Sequence, residues 1–137
     1  IVKAILEYTP ESLVHCFEID STNRMILSKI KDCIILGEDF LTQTEYFHRF
    51  DKIIANPPFS KNQDIDHIYK MYNCLKPGGR LVTIASTHWI NSKNEKETTF
   101  KNWLYNIVEG TVNGIDAGAF SESGTKVATV MIAIDKP

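Results

Sequence analysis

Asp51-Lys52-Ile53-Ile54-Ala55-Asn56-Pro57-Pro58-Phe59 runs from a short apolar stretch straight into a rigid turn that is poor in donors. The β-branched pair Ile53 and Ile54 suits a buried strand. Two prolines then fix the backbone and remove two N–H groups. Their carbonyls and the side-chain oxygen of Asn56 are left as rigid acceptors. A planar amino group has two hydrogens to give and needs two such acceptors. Phe59 adds a face on which the ring bearing that amine can stack. Taken alone, the same residues also read as a proline turn leaving a strand.

On both sides of this stretch the apolar period switches between strand-like and helix-like. Residues 1–8 are amphipathic and read as a helix whose beginning lies upstream of Ile1. Residues 14–19 read as a strand ending near Asp20. Ser21 or Thr22 can cap a helix running through Ile26, Leu27 and Ile30. A second strand at 33–36 closes on Gly37-Glu38-Asp39, and 43–50 reads as a short helix. The third strand is 51–55. Residues 64–75 carry a helical stripe of Ile65, Ile68, Tyr69, Tyr72 and Leu75, which Pro77-Gly78-Gly79 should stop with a tight turn. A fourth strand follows at 80–86, and the polar stretch 91–101 reads as an exposed loop. A helix at 97–108 turns Phe100, Trp103, Leu104 and Ile107 inward. Strands at 111–115 and 126–134 end the chain, joined by a Gly- and Ser-rich link. This alternation predicts an α/β fold, a doubly wound, mostly parallel sheet with helices on both faces. The last two strands have no helix between them, so that pair should be antiparallel.

Composition narrows the choices further. The 137 residues suit one domain, with 43% hydrophobic and 23% charged side chains. No apolar run approaches the roughly 20 residues of a membrane helix, so no membrane partner is expected. A net charge of −2 does not support a strongly basic nucleic-acid module. Cys16, Cys33 and Cys74 lack metal or redox spacing and read as buried free thiols of a reducing compartment. His15, His48, His67 and His88 have no ligand spacing, so no metal is expected. The chain opens without Met and reads as an N-terminally incomplete piece of a larger protein, residues 1–137 being one catalytic domain.

Ligands of open α/β sheets bind at the carboxyl ends of strands. The first such end holds Glu18, Ile19 and Asp20; the second holds Glu38, Asp39 and Phe40; the third holds Asn56 to Phe59. One acid can accept from a ribose diol, another from an exocyclic amine, while Ile19 and Phe40 sandwich a flat base. The pattern suggests a nucleoside-shaped pocket. Glu18 and Asp39 read equally well as helix caps, and Asp20 is assigned to a cap.

Over essentially its whole length the chain resembles the class I S-adenosylmethionine-dependent methyltransferases, most closely the N6-adenine DNA methyltransferases. Phe17-Glu18-Ile19-Asp20 is similar to that family's ribose-binding motif, and Gly37-Glu38-Asp39-Phe40 to the motif that reads the cofactor's adenine. Asn56-Pro57-Pro58-Phe59 resembles its catalytic signature, and Leu75-Lys76-Pro77-Gly78-Gly79-Arg80 the turn before its fifth strand. The resemblance implies S-adenosylmethionine as cofactor, held by Glu18, Ile19, Asp39, Phe40 and Asn56. It implies transfer to the N6 amine of a flipped adenine, with Asn56, Pro57, Pro58 and Phe59 catalytic. Phe120, just before the last strand, matches an aromatic residue that helps hold the target base; it also reads as a hydrophobe packing on the sheet. The family's first strand and glycine-rich loop are not found before Glu18. The motif order resembles type I modification subunits and type IIG-like enzymes. It implies DNA as partner and target recognition by a C-terminal or separate domain. Lys, Asn and Ile usage points to an AT-rich prokaryotic or phage genome, and a cytoplasmic protein is expected. Guanine N2 in RNA, a glutamine amide in a protein, or a non-catalytic subunit of the same fold are the competing expectations.

Overall fold

The computed structural model describes residues 1–116 and 128–137. The chain divides into two compact units, Ile1–Glu45 and Tyr46–Pro137.

The first unit holds helix α1 (Val2–Tyr8), strand β1 (Val14–Phe17), helix α2 (Ser21–Leu27) and strand β2 (Cys33–Gly37). A single tight 3-10 turn, Phe40–Thr42, follows. β1 and β2 pair in parallel, with a bulge between Cys16 and Phe17. Asp20 caps α2, its carboxylate accepting from the Asn23 N–H at 2.8 Å. α2 ends at Leu27, short of the expected Ile30, and its chain closes through Lys29 N–H to Ile26 O at 3.2 Å. The thiols are not all buried as expected. Cys74 is, but Cys16 and Cys33 are only partly covered and face each other on neighbouring strands, Sγ to Sγ 3.5 Å.

The second unit carries the core. Its elements are β3 (Phe50–Ala55), α3 (Gln63–Cys74), β4 (Leu75–Ser86), α4 (Glu95–Asn102), β5 (Thr111–Gly114) and β6 (Thr129–Asp135). The sheet order is β3-β4-β6-β5. β3 and β4 are parallel; β6 lies antiparallel to both β4 and β5, as the missing helix between the last strands predicts. β6 is interior to the sheet, which explains its near-continuous buried run Val130, Ile132, Ala133 and Ile134. β4 alternates instead, burying Leu81, Thr83 and Ala85. α3 lays Ile65, Ile68, Met71 and Cys74 into the core. Each fully buried aliphatic side chain there contributes about 1.5–3 kcal/mol. The aromatic face of α4 closes the layer. Phe100 meets Tyr69 edge-on at 5.7 Å and Trp89 at 5.2 Å, and Trp103 meets Tyr72 at 5.4 Å.

Three local expectations change. Residues 43–50 form no helix, because His48 and Arg49 donate their N–H groups to Asn73 O and Cys74 O at 3.1 and 2.9 Å. They satisfy the open carbonyl end of α3, which an internal helix would forbid. Pro77-Gly78-Gly79 is not a separate turn but a wide irregularity within β4, where register passes from Phe50↔Leu75 to Lys52↔Arg80. Gly78 takes a φ of 75°, and a Cβ on Gly79 would lie 2.9 Å from the Lys76 carbonyl, so both positions suit glycine. The polar stretch 91–101 is partly helical, since Asn94 caps α4 by accepting from the Lys96 N–H at 2.9 Å. That helix ends in a wider π turn, Trp103–Ile107. The start of the strand expected at 126–134 lies outside the described residues, whose strand begins at Thr129. Among the described residues no helix is long and apolar enough to cross a membrane.

Candidate active site

In the first unit both acidic strand ends form. Glu18 follows β1 and accepts from the Asp20 N–H through Oε1 at 2.9 Å. Asp39 follows β2 and accepts from the Leu41 N–H through Oδ1 at 2.9 Å, capping the 3-10 turn. Each acid therefore makes the local bond expected of a cap, with one oxygen. Among the described residues no hydrogen bond engages the other oxygen of either. Ile19 is 72% exposed, and Phe40 packs on Phe17 at 5.1 Å between ring centroids. Sequence reasoning missed Arg24. One Nη1 donates to the carbonyls of Glu18 and Ile19, at 2.9 and 2.7 Å, while Nη2 pairs with Glu38 at 2.9 Å. Arg24 thus ties the two strand ends of this unit together. Its signal was an arginine one turn into a helix that follows an acidic strand end.

In the second unit Asn56 to Phe59 leaves the carboxyl end of β3 as expected. Pro57 is buried, Asn56 and Pro58 are exposed, and Phe59 is half-buried. Pro57 thus anchors the turn while its neighbours face outward. Among the described residues no donor reaches the Asn56 side chain or the carbonyls of Pro57 and Pro58. A turn with no strand partner beyond it and with unclaimed acceptors is suited to receive an external donor.

The support below this turn is built from side chains the motif did not announce. Asp64, fully buried at the start of α3, accepts from both the N–H and the hydroxyl of Ser86, at 2.9 and 2.8 Å. It fastens α3 to the carboxyl end of β4. A carboxylate in line with Ile68 and Met71 on the apolar face was the available signal. Between Phe59 and α3 lies the 3-10 turn Ser60–Asn62, where Lys61 and Asn62 both take positive φ, 55° and 57°. Left-handed backbone costs a non-glycine residue about 1–2 kcal/mol, less for Asn. The Asn62 amide donates to Glu97 at 2.6 Å, and Lys96 reaches both Asn62 O at 3.3 Å and Asp66 at 2.7 Å.

Other candidates resolve simply. Trp89 is buried against Phe100 and Tyr105, a core role, while His88 is exposed. Phe120 lies outside the described residues. No group of three or more metal-ligating side chains occurs among the described residues. Cys16 is held as a thiol, its pKa pushed up to about 12 by burial and by its Cys33 neighbour.

Solved structures share this architecture. A type I restriction-modification methyltransferase subunit from Streptococcus thermophilus matches with a TM-score of 0.70 at 20% identity, over 88% of this chain and 33% of its own. The M protein of the type I restriction enzyme EcoKI matches with a TM-score of 0.72 at 17% identity, over 90% of this chain and 31% of its own. The plantazolicin methyltransferase BpumL, in complex with SAH, matches with a TM-score of 0.65 at 9% identity, over 99% and 71%. The chain has a methyltransferase fold. Parallel strands followed by an antiparallel final pair belong to that fold, as the sequence pattern implied. The chain spans about a third of the two type I proteins. No protein-family model matches it, and no curated protein matches it by sequence.

Proposed function

We propose that the chain is the catalytic methyltransferase domain of an enzyme that methylates the exocyclic N6 amine of adenine in DNA. The observation that carries this reading is the Asn56-Pro57-Pro58 turn, with rigid acceptors that no described residue engages. The shared fold of the type I methyltransferase proteins supports it.

In this reading S-adenosylmethionine, bound to Glu18, Ile19, Asp39 and Phe40, supplies an electrophilic methyl group on sulfur. The residues suit that molecule: the acids keep an oxygen for ribose hydroxyls and an adenine amine, and Ile19 offers an exposed apolar face. The fold's solved relative BpumL carries SAH, its demethylated form. Asn56 and Pro57 accept the two hydrogens of the target amine. Both acceptors pull the nitrogen away from planarity and leave its lone pair facing outward. Phe59 stacks the flipped base, whose extraction from the duplex costs a few kcal/mol. Phe120 is assigned a second contact with that base. The rate gain comes from positioning and fixed dipoles, not from a strong base. DNA is the proposed partner, read by a C-terminal or separate target-recognition domain, and the proposed setting is a prokaryotic or phage cytoplasm.

The test offers the full-length protein methyl-labelled S-adenosylmethionine with unmethylated DNA, RNA and protein in parallel. Label in N6-methyladenine is the expected result. Label in guanine or glutamine keeps the Asn56 chemistry and overturns the substrate. Asn56→Ala should lower the single-turnover rate by about 10²–10³-fold, as loss of an aligned polar contact does, with cofactor affinity nearly unchanged. Cofactor binding with no label in any acceptor, or no cofactor binding, would favour a non-catalytic subunit.

A further inference from the structure

We propose that Glu97, with Lys96 beside it in the first turn of α4, is a positioning residue for the Asn56–Pro57–Pro58–Phe59 turn, acting through Asn62. The catalytic part of this inference rests on the function proposed above; the geometric part does not.

Two residues forgo their usual local bonds to make this contact. Glu97 is the third helical residue of α4, where a glutamate ordinarily reaches back to the N–H of the capping residue. Here that N–H, on Asn94, already donates to Ser92 Oγ at 3.0 Å. Glu97 is released, and its carboxylate, 7% exposed, takes the Asn62 amide instead. Burying a carboxylate is costly unless it is well paired, and α4 does not require it. Asn62 is the capping residue of α3, yet its side chain makes no cap bond. Its amide is committed to Glu97, across 35 positions of sequence.

Asn62 is held on its other sides too. Its carbonyl accepts from Lys96 at 3.3 Å, and its N–H donates to Phe59 O at 3.2 Å. The path from Glu97 to the candidate turn is therefore two hydrogen bonds long. The consecutive left-handed residues Lys61 and Asn62 need such support, since neither is glycine. Removing the Glu97 acceptor should let this turn relax and carry Phe59 with it.

The experiment uses the full-length protein and three variants. Glu97→Ala removes the acceptor, Glu97→Gln keeps one, and Asn62→Gly keeps the left-handed backbone while removing the amide. Amide hydrogen exchange over 56–62 is read alongside β4 and β6. Single-turnover methyl transfer and cofactor affinity are measured in parallel. Glu97→Ala should speed exchange over 56–62 about tenfold, leave β4 and β6 protected, and slow transfer about tenfold without changing cofactor affinity. Glu97→Gln should restore most of both. Asn62→Gly should reproduce the local loosening, and carries the test if Glu97→Ala fails to fold. Unchanged exchange over 56–62 in Glu97→Ala and Asn62→Gly overturns the proposal. So does loosening spread evenly through the second unit, which marks Glu97 as a general stabilising residue. Local loosening in a protein that methylates nothing upholds the clamp and refutes the reaction instead.

Discussion

Asp39 and Glu18 show how one carboxylate serves two ends. Each spends one oxygen on the backbone N–H two residues on, and so fixes the strand end that presents the other. Asp39→Ala should therefore weaken S-adenosylmethionine binding by about tenfold, the loss of one charge-assisted hydrogen bond, while methyl transfer at saturating cofactor falls less. Calorimetric titration checks this; unchanged affinity removes Asp39 from the cofactor site. The thiol pair gives a pH prediction. Cys16 has a folded pKa raised from 9.0 to about 12, first by burial and then by Cys33. The folded state thus holds the proton more tightly than the unfolded one. Its contribution to stability is complete below pH 9 and is lost as pH rises toward 12. Alkylation of Cys16 by iodoacetamide should stay slow through pH 9, and Cys16→Ser should flatten the alkaline fall in stability. The places of the acids and of the Asn-Pro-Pro-Phe turn at the ends of β1, β2 and β3 were legible in the sequence because the apolar runs before them end there. Arg24, Asp64 and Glu97 were not, because their partners are chosen by packing across 5 to 35 positions.

At the level of elements, the period of apolar residues located nearly every strand and helix. It failed at 43–50, where local pattern favoured a helix but the open carbonyls of α3 drew the chain extended. It also placed Pro77-Gly78-Gly79 outside a strand. Lys136 explains the outcome: its N–H donates to Gly79 O at 2.8 Å, and its carbonyl accepts from Gly78 at 2.9 Å. A β6 neighbour keeps the glycines in the ladder, which no local signal encodes. The bond from Asp64 to Ser86 is the sharpest element-level test. Asp64→Ala strands a buried N–H and hydroxyl and should cost about 3 kcal/mol; Asp64→Asn keeps one acceptor and should cost about 1 kcal/mol. Urea unfolding of both variants measures it, and a fully stable Asp64→Ala would show the bond contributes nothing.

Across the molecule, fully buried side chains occur only in Tyr46–Pro137 among the described residues, while none of Ile1–Glu45 is fully covered. Native-state hydrogen exchange should find the slowest amides in β4, β6 and α3, with β1 and β2 opening at lower free energy. Equal protection of both units would contradict that order. β6 adds a consequence of its position. It lies between β4 and β5 but follows both in the chain. A ribosome finishes each neighbour before the strand that joins them has been translated. Until then β4 and β5 wait with open edges and an uncovered apolar slot between them, the state in which a nascent chain is most prone to mispair. Closure of this sheet therefore waits on β6, the strand made after both of the neighbours it joins.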